Sequence, residues 1–171
     1  MGLPMLKKYS LAAFTMLALY TPLAFAAVDE SSYESGHGAL QRFSSGAGIA
    51  ATPLWVQIWL ILLGATFLSS LFFVRKHPIA RWAIGGILVS VPLTPVIVRS
   101  LGWPFLGGAI ALGHLVFWSP ALFLLLTRRP FLDEANSPAF RFWAIMMTSV
   151  IIISFVFDIR DTAIYLRHVL G

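Results

Sequence analysis

The sequence predicts an all-α integral membrane protein, a four-transmembrane-helix bundle that follows a cleavable N-terminal signal peptide. Three observations carry this. Hydrophobic residues make up 58% of the 171-residue chain and charged residues only 11%, against roughly a quarter charged in soluble domains. Beyond residue 52 lie four apolar stretches, each fit to cross a hydrocarbon core ~30 Å thick. The first 26 residues carry the three-part pattern of an export signal.

In that signal, Lys7 and Lys8 form the basic region and Leu11 to Tyr20 the apolar one. Pro22 breaks the helix ahead of Ala24-Phe25-Ala26, a small-x-small pattern that places cleavage after Ala26. Cleavage lowers the formal charge from +5 to +3, since Lys7 and Lys8 are the only charged residues in 1–26. Retained, the same stretch would anchor the chain as a fifth helix. Either way, the residues that follow are exported.

Residues 27–52 are small, polar and slightly acidic, with Asp29, Glu30 and Glu34 against Arg42 and four glycines between them. With too little apolar surface for a core, they read as a flexible periplasmic segment. His37 lacks ligands at a fixed spacing and reads as a solvated loop histidine instead of a metal ligand.

Residues 53–171 form the transmembrane domain, with spans at about 53–74, 82–98, 105–126 and 142–163. Trp55 and Trp59 mark the outer end of the first, where indoles favour the interface. Pro92 and Pro95 should kink the outer half of the second. The third carries Gly107, Gly108 and Gly113 before a possible bend at Trp118-Ser119-Pro120. Ser137-Pro138 suits the start of the fourth, an N-cap followed by proline at the first helical position, and helix could continue as far as Leu170. Small residues four apart, Ala65/Ser69, Gly86/Ser90, Gly107/Ala111 and Ala109/Gly113, let backbones approach. The second and third spans are therefore expected to pack as a hairpin through Gly102-Trp103-Pro104.

Loop charge sets the orientation. Arg75, Lys76 and Arg81 lie in the first connection and Arg128, Arg129 and Arg141 about the third, whereas the second has only Arg99. The positive-inside rule makes the first and third cytoplasmic, so the mature N- and C-termini are periplasmic. This agrees with the signal peptide and places the chain in the bacterial inner membrane as a multi-pass protein.

The chain has no cysteine, which excludes disulfides, thiolate metal sites and cysteine nucleophiles. Its cations are dispersed among loops, so no nucleic-acid face is expected. No phosphate loop, His-Glu-x-x-His zinc motif or Gly-x-Ser-x-Gly elbow occurs. No catalytic or metal residue is therefore nominated. Asp133 and Glu134, among arginines, read as a loop that balances its own charge.

Candidate function rests on ionisable groups at membrane depth, which are costly and rare there. His114 falls ~14 Å below the outer surface, near mid-bilayer, and Asp158 ~6 Å below it. Asp161 and Arg99 come to that surface. Asp158, Asp161, Tyr165 and His168 share one helical face, while Arg160 and Arg167 project elsewhere. One reading is a proton or ion relay through Asp158, Asp161 and His114. The other is structural: Asp158 or Asp161 pairs with Arg99 or Arg160, and a neutral His114 bonds to Ser90, Thr94 or a carbonyl freed by proline. Haem on His114 lacks a second histidine at matching depth, so no cofactor is expected.

The function expected is that of a small accessory or subunit-type membrane protein, acting through helix–helix and periplasmic contacts with a membrane partner or with its own copies in the bilayer. A proton- or ion-coupled transporter or channel is the alternative, and a haem-binding or enzymatic membrane protein ranks third.

Overall fold

The computed structural model describes residues 29–43 and 52–171. The expected signal peptide lies outside the described residues. Four helices follow in order: α1 (Leu54–Ser69, prolonged by a 3-10 turn at Ser70–Phe72), α2 (Pro78–Ser100), α3 (Gly107–Arg128) and α4 (Pro138–Leu170). All four are long and apolar enough to cross a membrane, α1 with its 3-10 turn included. The described residues hold no strand, and a single bridge joins Ser35 to Arg42. The protein is an all-helical, multi-pass membrane protein.

The helix starts follow local chemistry. Pro78 and Pro138 occupy first helical positions, where a missing N–H costs nothing. Ser137 caps α4 by accepting from the Phe140 amide at 3.3 Å. α2 thus begins at Pro78, earlier than its apolar core suggested, with Arg81 in its first turn. It continues as one helix through Pro92 and Pro95. At 33 residues, α4 spans ~50 Å and must extend beyond a ~30 Å core.

α3 is the central element and packs against both α2 and α4. Its small residues set these approaches. A Cβ on Gly86 of α2 would lie 2.6 Å from the Phe117 carbonyl, and one on Gly113 would strike Thr94. These contacts realise the expected α2–α3 hairpin. α4, without a glycine stripe of its own, comes equally close because α3 supplies Gly108, over which Tyr165 and the Asp161 carbonyl sit. The expected face Ala65/Ser69 makes no such approach. Ala65 is exposed, and α1 instead buries Leu63, Thr66 and Phe67, chiefly towards α4.

Two apolar clusters result. The larger fills the half of the bundle near the basic loops, with Phe67, Trp118, Phe140, Trp143, Met147 and Ile151 at its centre. Phe67 and Trp118 meet at 4.6 Å between ring centroids, and Phe140 stacks on Trp143 at 5.2 Å. The smaller cluster, at the opposite end, joins Val98, Leu106, Ala109 and Tyr165 to Tyr33 and Leu40 from the N-terminal segment.

Candidate functional site

The smaller cluster exists because residues 29–43, the described part of the segment 27–52 expected to be flexible, make contacts with the helix ends. They fold across one end of the bundle as a cap. The N-terminus of α3 has no side-chain cap of its own, which leaves backbone donors to be satisfied. The segment supplies carbonyls: Gly107 N–H donates to Gln41 O at 3.0 Å and Gly108 N–H to Ala39 O at 2.8 Å. Gly107 and Gly108 permit this because any Cβ there would collide with the Gly38 carbonyl or with Tyr165.

Glu30 anchors the cap. Its carboxylate accepts from Arg99 Nε at 2.9 Å, from Arg99 Nη2 at 3.0 Å and from the Phe105 amide at 3.0 Å. This bidentate fork is the strongest common carboxylate geometry. Tyr33 Oη meets His168 Nε2 at 2.8 Å, and the fully buried Tyr165 donates its hydroxyl to Pro104 O at 2.9 Å. α4 is thereby tied to the α2–α3 turn and to the cap. His37 is exposed on the cap surface.

These bonds correct the expected pairing. Arg99 binds Glu30, not Asp158 or Asp161, because it lies at the end of α2, level with the α2–α3 turn. Asp158 lies about two turns deeper, facing α3. Its partner is His114, with Nδ1 at 3.3 Å from one carboxylate oxygen and 3.4 Å from the other. His114 therefore does not take Ser90, Thr94 or a freed carbonyl as its partner. The pair is largely enclosed, with side-chain exposures of 27% for His114 and 14% for Asp158. Its separation is slightly beyond the ordinary 2.7–3.2 Å range. The imidazole stacks on Trp118, ring centroids 3.9 Å apart.

The expected shared face on α4 is present. Asp158 and Asp161 are partly buried, Tyr165 is buried, and Arg160 points outward. Ser154 and Thr162, one turn to either side of Asp158, extend the stripe, both with buried hydroxyls lacking a protein partner. They were readable as the i−4 and i+4 neighbours of Asp158. Glu30 and Tyr33 were not, because no sequence period links the cap to helix ends.

On the α2 side, His114 also lines a cavity of about 260 Å³ with Ser90, Thr94, Pro95, Phe105 and Ile110. A carboxylate facing Nδ1 favours the tautomer that is protonated there. Nε2 is then the nitrogen that can accept a proton or a second hydrogen bond. The other imidazoles are elsewhere: His77 stacks on Phe140 at the far end, 3.5 Å between centroids, and His168 bonds to Tyr33.

The fold and site define a class, a multi-pass membrane protein whose described residues form four apolar spans with a capped end and an enclosed imidazole–carboxylate pair beneath it. Comparisons with family models, curated proteins and solved structures found no match to this chain.

Proposed function

We propose that the chain is a small accessory, subunit-type protein of the bacterial inner membrane, acting through its helix faces and its capped end. One observation carries this reading: residues 29–43 are tied into a shaped surface by Glu30–Arg99, Tyr33–His168 and the two α3 amides. Such a surface suits contact with a partner outside the bilayer. The aromatic core between Trp118 and Phe140 would be a poor ion conduit. Charge supports the orientation. The basic-end loops 75–81 and 128–141 carry six Lys and Arg against two acids, whereas the opposite end is nearly balanced.

The test is native mass spectrometry of tagged protein extracted in mild detergent, paired with Arg99→Gln. A foreign subunit retained in fixed ratio by the wild type and lost by the variant supports the reading. A wild type carrying no foreign subunit overturns it.

A second reading has its own observation, the His114–Asp158 pair beside a cavity. Within it, the pair stores or passes a proton from the capped side during coupled transport, with Asp161 nearer the surface. Asp158→Asn should then abolish pH-dependent flux in proteoliposomes without lowering yield. Unchanged flux, or absence of flux in the wild type, removes this reading.

A further inference from the structure

We infer that the groove between α2 and α3 at the basic end is a binding site for one anionic phospholipid, with the headgroup phosphate on Arg81 and an acyl chain laid along the groove. The groove encloses about 380 Å³ and is lined by Arg81, Trp82, Gly85, Val89, Phe117 and Pro120, among others. It has a clear structural origin. α2 and α3 touch where Gly86 meets the Phe117 carbonyl. One residue away, Gly85 has no heavy atom within 4 Å of where its Cβ would be. A missing side chain beside a close helix contact leaves a furrow in the lipid-facing surface.

From Arg81 to Val89 the furrow runs eight residues, ~12 Å of helix. Half of a ~30 Å hydrocarbon core is ~15 Å, so the furrow matches one leaflet. Its wall is apolar, and its single charge is at the mouth, the amphipathic order of a phospholipid. Trp82 beside that charge is half-exposed at 54%, as suits an indole at headgroup level.

Arg81 is preorganised for an anion. Its Nε donates to Val74 O at 2.7 Å and one Nη2 hydrogen to Arg75 O at 3.1 Å. A guanidinium has five N–H donors, so three remain for phosphate oxygens. The two carbonyls hold the group in place, which lowers the ordering cost of binding. Arg75 and Lys76 add charge in the same connection, and Arg128 lines a neighbouring cavity that shares Trp82, together with Asp133. A net basic mouth selects an anionic over a zwitterionic headgroup. Positive-inside orientation puts this mouth at the cytoplasmic leaflet, whose anionic lipids attract juxtamembrane cations.

The test is native mass spectrometry of the purified full chain, titrated in detergent with phosphatidylglycerol or phosphatidylcholine of the same acyl composition. The wild type should retain one phosphatidylglycerol in preference to phosphatidylcholine. Arg81→Gln should weaken phosphatidylglycerol retention roughly fivefold to tenfold and erase the preference. Gly85→Leu, which fills the furrow, should remove tight retention of either lipid, whereas Gly85→Ala should keep it. If Gly85→Leu does not fold, Val89→Trp fills the same space from an exposed position. Arg160→Gln, at the opposite end, should bind as the wild type does. Equal retention of the two lipids by the wild type overturns the inference. So does a preference that survives either Arg81→Gln or the filled furrow, or a dimer that filling the furrow abolishes.

Discussion

Glu30 accepts three hydrogen bonds from two residues, and the behaviour of the cap with pH follows from that. Burial pushes its carboxyl pKa up. Hydrogen bonds from Arg99 and the Phe105 amide, with the charges of Arg99 and Arg42, outweigh burial and leave it below its ordinary 4.5. A group whose folded pKa is depressed contributes stability above its unfolded value and loses it as pH falls through the folded one. The cap should therefore hold at neutral pH and loosen below about 4.5. Hydrogen–deuterium exchange, corrected for intrinsic rates, should show residues 33–42 protected at neutral pH and deprotected in acid. Glu30→Gln should lower protection at neutral pH and flatten the acid response. An unaltered pH profile in that variant would mean that another carboxylate governs the cap. Truncating a charged partner of such a bond costs about 1.5–3 kcal/mol. The sequence alone shows Arg99 as a cation at the end of a span but does not show its partner. Glu30 lies 69 residues away, in a segment whose composition indicated disorder. Its apolar content is indeed too low for a core, but it borrows order from the unsatisfied amides of α3 and from one charged fork.

At the scale of the helices, legibility followed the strength of the local signal. Ser137-Pro138 marked the start of α4, a capping residue followed by a proline that needs no N–H there, whereas α2 starts at Pro78, ahead of the apolar run read from Trp82. Small residues four apart marked the α2–α3 hairpin correctly but did not mark α1, where Ala65 is exposed. Small size permits a close approach without causing one, so only a partner helix distinguishes the two cases. The α3–α4 contact was missed for the complementary reason, since Gly108 on one helix is enough. Glycine substitutions separate these roles. Gly108→Ala places a methyl 2.7 Å from the Asp161 carbonyl and against Tyr165, which should cost about 1–3 kcal/mol by overpacking. Gly64, in α1, has nothing within 4 Å of an added Cβ. Gly64→Ala should be neutral or stabilising by up to about 1 kcal/mol, the ordinary helix preference for alanine. Thermal unfolding of both variants in the same detergent checks the pair. If Gly108→Ala proves no worse than Gly64→Ala, the close α3–α4 approach is not what holds the bundle together.

Across the whole molecule, polarity is sorted along the membrane normal. The capped end gathers Glu30, Arg99, Asp158, Asp161 and His168, while the opposite half is aromatic and aliphatic until the basic loops begin. This sorting ties a chemical question to a topological one. A His114–Asp158 pair could exchange protons with whichever compartment the capped end faces, and the furrow at Arg81 would meet the lipids of the other leaflet. The proposed orientation, with the capped end outside, rests on positive-inside bias, and the chain offers a direct check because it contains no cysteine. Glu134→Cys lies in the exposed α3–α4 connection and Gly171→Cys at the exposed C-terminus, so each variant carries one thiol at one end of the bundle. In intact spheroplasts, a membrane-impermeant maleimide should label the variant at 171 and spare that at 134. Permeabilisation should then expose 134. The reverse pattern would place the basic loops outside, against the charge rule, and would turn the imidazole–carboxylate pair towards the cytoplasm. Labelling of both in sealed cells would mean that an even number of crossings separates 134 from 171, against the single crossing that α4 provides. An odd number of crossings between 134 and 171 is what α4 demands, since one helix of 33 residues runs from one loop to the other end, and its length of ~50 Å leaves both thiols clear of a ~30 Å core.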